Sequence, residues 1–84
     1  MNCEHKISIS NSGRSLSLCM RDVIKSMAEV KPERVGKYGV KINEQEYPLL
    51  QIMAKATNTP KIEWNTARAY QILKKLGFEI NIHE

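Results

Sequence analysis

Residues 7–18, ISISNSGRSLSL, alternate apolar residues and serines on both sides of Asn11-Ser12-Gly13-Arg14. Period-two alternation around a turn cluster predicts a β-hairpin. The competing reading is a Ser-rich tail up to Ser15. Leu16, Met20, Val23, Met27 and Val30 then recur at spacings of four, three, four and three, which is one helical face. Ser15 or Ser17 is placed to cap this first helix. Pro32 ends it, because a proline drives the preceding Lys31 out of helical conformation.

Tyr38–Tyr47 reads as a second hairpin. Val40 and Ile42 alternate with Gly39 and Lys41, Asn43-Glu44-Gln45 is a polar turn, and Glu46-Tyr47 begins the return strand. Gly36 and Gly39 permit unusual backbone angles at its start. Pro48 opens a second helix at the position where proline is harmless. Leu49, Ile52, Met53 and Ala56 form its apolar stripe, and Asn58-Thr59-Pro60 breaks it. Lys61–Trp64 reads as a short extended link, with Trp64 stapling the chain onto the core. Asn65 or Thr66 caps a third helix whose buried face is Ala69, Tyr70, Leu73 and Leu76, and Gly77 closes it as a left-handed cap. Phe78, Ile80 and Ile82 alternate as a final strand paired with the second hairpin.

These elements predict an α+β fold: three helices packed on a small antiparallel sheet, similar to a helix-turn-helix with a wing. Residues 1–14 form an N-terminal tail or hairpin arm, and residues 15–84 a single domain. At 84 residues the chain has no room for a cleft between domains.

Charge sharpens the picture. The formal net charge is +4. Residues 47–78 hold Lys55, Lys61, Arg68, Lys74 and Lys75 against Glu63 alone, so the whole excess lies in the C-terminal helical part. A localised basic excess is the footprint of an anionic partner, nucleic acid first. Apolar runs are far too short to span a bilayer, and MNCEHKISIS lacks the apolar core of a signal peptide. These features place the chain in the cytoplasm, with Cys3 and Cys19 as free thiols.

Asp22-Val23-Ile24, Tyr38-Gly39-Val40, Glu46-Tyr47-Pro48, Trp64, Ala69 and Leu73-Lys-Lys-Leu-Gly-Phe-Glu-Ile80 carry a resemblance over residues 18–82. In this order and spacing they resemble the N-terminal head domain of McrA-type HNH restriction endonucleases, which act on modified DNA. The resemblance implies an accessory DNA-contacting module, without the nuclease domain that cleaves.

Arg68, Gln71 and Lys75 sit three and four apart on one face of the third helix, with Lys74 beside them. Arginine and glutamine suit guanine and adenine edges, and lysine neutralises phosphate. Asn65 and Thr66 open the helix, where free N–H groups favour phosphate. Lys41, Lys55 and Lys61 extend the patch. The competing reading is that Lys74 and Lys75 simply favour the helix C-terminus. Cys3, His5, Cys19 and His83 are the only conceivable metal set, but Cys-x-His is not a usual zinc spacing, so no metal is assigned. No catalytic motif is visible: the chain has neither a phosphate loop nor a His-Glu-x-x-His sequence. Glu44 and Glu46 read as a solvated hairpin tip.

The expected function is therefore a small non-catalytic nucleic-acid-binding domain with no cofactor, using the basic C-terminal helix on duplex DNA, with RNA as the second choice. The alternative is a protein-interaction factor, such as a mobile-element-encoded inhibitor of a defence nuclease or nucleoprotein complex.

Overall fold

Alternating isoleucine and leucine positions do form the first hairpin. The computed structural model describes residues 6–11 and 13–83. In it Lys6–Asn11 (β1) pairs antiparallel with Arg14–Cys19 (β2), setting Ile7 opposite Leu18 and Ile9 opposite Leu16. Gly13 turns the chain with φ of 78°, a value glycine adopts without a steric penalty. Ile9 and Leu18 are buried and join the common core.

The first helix is shorter than its apolar spacing predicts. Met20–Ser26 (α1) begins only where β2 ends, because strand pairing claims Leu16. Cys19 occupies the N-cap position, and neither Ser15 nor Ser17 caps the helix. The helix stops well before Pro32. Met27 donates to both Val23 and Ile24, which tightens the last turn. The buried Tyr47 hydroxyl then donates to the Val30 carbonyl at 2.7 Å, holding the chain that follows the helix.

Tyr38–Ile42 (β3) and Gln45–Pro48 (β4) form the second hairpin. Its turn is Asn43-Glu44 alone, both at positive φ, while Gln45 already pairs with Ile42. Ile80–Ile82 (β5) adds to the other side of β3, giving the antiparallel order β4-β3-β5. Among the described residues there are thus two small antiparallel sheets where one was expected. Gly36 and Gly39 are not among the positive-φ residues. Gly39 serves close approach instead, as described below.

Leu49–Thr57 (α2) follows Pro48, which is the N-cap and not the first helical residue. Asn58 ends the helix in the left-handed conformation. Lys61–Glu63 is a 3-10 turn, not an extended link. Thr66–Leu76 (α3) is capped by the Asn65 side chain, which accepts from the Arg68 amide at 2.8 Å, and by Gly77 at φ 104°. Its buried face is Ala69, Ile72, Leu73 and Leu76; Tyr70 sits half-buried at the margin. Val23, Met27, Ile52, Met53, Ala69 and Leu73 are wholly inaccessible and fix the three helices on the sheets. Trp64 is buried, with its indole N–H donated to the Thr59 hydroxyl at 2.8 Å.

Cys19 is almost completely buried and disulfide-bonded, so it is not the free thiol expected from sequence. The hairpin register sets it opposite Lys6, where the chain enters the sheet. The other cysteine, Cys3, lies outside the described residues, as does His5 of the conceivable metal set. Among the described residues no cluster of His, Cys, Asp or Glu suits a metal ion, and no helix is long and apolar enough to cross a membrane.

Candidate nucleic-acid interface

The loop 31–37 is polar and has no regular structure, yet it is fastened at both ends. Gln51, buried on α2, donates to the Lys31 carbonyl at 2.8 Å and accepts from the Glu33 amide at 2.9 Å. At the far end the His83 amide donates to the Lys37 carbonyl at 2.6 Å, continuing the β3–β5 ladder. The loop therefore holds Arg34 and Lys37 in place over the junction of α2 and α3.

Three adjoining hollows run along this junction. The first lies beside Lys55, Asn58 and Thr59. It shares Glu33, Gln51 and Lys61 with the second, which is about 780 Å³ and also lined by Arg34, Lys37 and Ile62. The second shares Tyr38 and Thr66 with the third, about 520 Å³, where Ala67, Tyr70 and Gln71 complete the wall. Tyr38 and Tyr70 meet edge to face, centroids 5.5 Å apart and planes at 71°. Lys37 stands 5.6 Å from the Tyr38 ring and Lys74 5.6 Å from the Tyr70 ring. Arg34, Lys37, Lys55, Lys61 and Lys74 thus follow one track. Glu33 is the one acidic side chain among the described residues lining it, and it is paired with Lys61 at 2.6 Å.

The residues expected from sequence divide three ways. Lys55, Lys61, Thr66, Gln71 and Lys74 lie on or beside the track. Asn65 spends its side chain on the helix cap. Lys41 lies on the outer face of the sheet, opposite Glu46 and away from the helices. Arg68 stacks 4.8 Å from the Trp64 ring and donates to the Ser10 carbonyl, so it joins α3 to the first hairpin. Lys75, seven residues on, shares that flank of the helix.

The SCO5918-like family model matches residues 13–84, from the β1–β2 turn to the chain end, and so spans every element that builds the track. The chain belongs to the SCO5918-like family. No curated protein and no solved structure matches it.

Sequence reasoning missed Arg34, Lys37, Tyr38 and the role of Tyr70. Arg34 and Lys37 lie in a charge-balanced stretch, so a tally by segment hides them. The usable signal was Gln51, a polar residue between Leu49-Leu50 and Ile52-Met53 whose burial requires backbone partners from elsewhere.

The outer face of the sheet carries a separate polar cluster. Glu46 Oε2 lies 2.7 Å from His83 Nε2 and accepts from the Asn81 amide at 3.1 Å, bridging β4 to β5 across β3. These hydrogen bonds, His83 first, hold the Glu46 carboxyl below the usual carboxylate range.

Proposed function

We propose that the chain is a non-catalytic nucleic-acid-binding domain that follows a phosphate backbone along the track from Lys55 to Lys74. The observation that carries this reading is that four cations from the 31–37 loop, α2 and the 3-10 turn line a row of adjoining hollows, one of them paired with Glu33, while Lys74 of α3 stands on a tyrosine ring at the end of the row. Lysine and arginine along a groove release counterions from a phosphate chain, and this term supplies most sequence-independent affinity. The resemblance to the McrA-type head, an accessory DNA-contacting module, points the same way. Arg68, whose side-chain type suits guanine edges, is engaged within the fold, so this reading rests on backbone contact more than on that base-edge contact.

This reading places the domain in the cytoplasm with its nucleic acid. A disulfide is uncommon in that compartment, and the burial of Cys19 shields one of the two bridge sulfurs from reducing thiols.

Titration of a fluorescein-labelled oligonucleotide at two ionic strengths tests the proposal. Five phosphate contacts give an affinity loss on the order of a hundredfold between 50 and 200 mM salt. No binding at low salt, or equal binding at both, overturns it.

A further inference from the structure

The hollow at the α3 end of the track has a chemistry that phosphate contact alone does not need. Tyr38 on β3 and Tyr70 on α3 meet at 71°, so their rings form an open corner and not a closed stack. Both are only half-buried. Ala67 leaves the neighbouring wall low, and the lining is mostly apolar. Thr66 and Gln71 are the polar residues that complete its lining, and a glutamine amide offers both donors and an acceptor. Lys37 and Lys74 stand on the two rings that form the corner.

We propose that this corner takes an unpaired nucleobase, and that the ligand of the track is therefore a single strand. The inference rests on the nucleic-acid reading above. A base entering the corner packs its face on one tyrosine and meets the edge of the other, while Gln71 and Thr66 hydrogen-bond its rim. Lys37 and Lys74 neutralise the phosphates on either side of it. Such a site accepts any base, because every base has a π-face. A duplex keeps its bases stacked inside, and bringing one to the corner requires extruding it, at a cost of a few kcal/mol. The nearly fully exposed Ile62, beside Lys61 in the middle hollow, offers a further apolar contact to the same strand.

Fluorescence anisotropy with three probes at low salt decides the matter: labelled oligothymidylate, its duplex with oligoadenylate, and an abasic strand of equal length. The expected order is single strand tightest, with the duplex and the abasic strand each weaker by at least tenfold. Tyr70→Leu weakens the single strand roughly 5- to 150-fold, the range for loss of one base–aromatic stack, while Tyr70→Phe keeps wild-type affinity. Duplex or abasic strand binding as tightly as the single strand overturns the inference and leaves the phosphate track standing. So does unchanged affinity in a Tyr70→Leu variant that circular dichroism shows to be folded. Binding of none of the three probes overturns both readings.

Discussion

The carboxylate of Glu46 lies over Gly39. A Cβ built on that glycine would stand 2.8 Å from the Glu46 side chain, so the bare backbone of β3 is what lets Glu46 reach across to β5. Gly39→Ala should push the flexible Glu46 side chain aside and open its contacts with Asn81 and His83. The strand itself tolerates alanine, since Gly39 is not at positive φ. The expected result is a Glu46 titration that returns toward the ordinary carboxylate value, followed by NMR of the side-chain carbons, and a neutral-pH unfolding midpoint lowered by the loss of those contacts. A Glu46 titration that stays depressed in Gly39→Ala would contradict this account.

The same contacts give the fold a defined acid response. Glu46 has a lower pKa when folded than when unfolded, through its hydrogen bonds to His83 and then Asn81. Its contribution is therefore fully present above the unfolded carboxylate pKa and lost as pH falls through the lower folded value. Wild type should melt above Glu46→Gln at neutral pH, and the gap should close below about pH 4. A gap that persists unchanged to the acid limit would rule out this linkage.

Gln51→Leu keeps the volume of a buried side chain and removes both of its hydrogen bonds. It leaves the Lys31 carbonyl and the Glu33 amide without their partner, at a cost of about 1–3 kcal/mol for each group that stays buried and unpaired. Urea denaturation measures the loss. Hydrogen exchange at the Glu33 amide should quicken, and oligonucleotide affinity should fall because Arg34 and Lys37 lose their fixed positions.

Arg68 and Lys74 belong to one helix and should separate cleanly. Arg68→Ala removes the contact with the Trp64 ring and the bond to Ser10, so stability falls by about 0.5–1 kcal/mol from the ring contact alone. Its oligonucleotide affinity stays within twofold of wild type. Lys74→Ala gives up a longer ring contact of its own with Tyr70, so its melting temperature also slips, but here affinity drops and the salt slope falls by about one. Equal binding losses in the two variants would return the interface to the flank of Arg68 and Lys75.

The elements were legible wherever one local rule acted alone. Asn65 and Gly77 mark the ends of α3 by capping chemistry, and the alternation of Val40 and Ile42 marks β3. Errors arose where two rules competed. Leu16 fits both a strand and the stripe of the first helix, and hairpin pairing with Ile9 decided for the strand. Tyr70 fits the apolar stripe of α3, but only the partner strand shows that its ring meets Tyr38 at the surface. The site was half legible for a similar reason. Spacing along one helix shows which side chains share a flank and not which neighbour covers it, and the first hairpin covers the flank of Arg68.

The four hydrogen bonds that Gln51 and Tyr47 make to the segment after α1 all end on backbone atoms: the carbonyls of Met27, Val30 and Lys31 and the amide of Glu33. No side chain between positions 30 and 37 is needed to form them. The arrangement separates where the loop lies from what it carries. Residues 34–37 can be rewritten, in a library or by drift, while the fastening stays the same. That makes this short stretch the natural place to retune what the domain grips, and the β4–α2 junction the part that must be left alone.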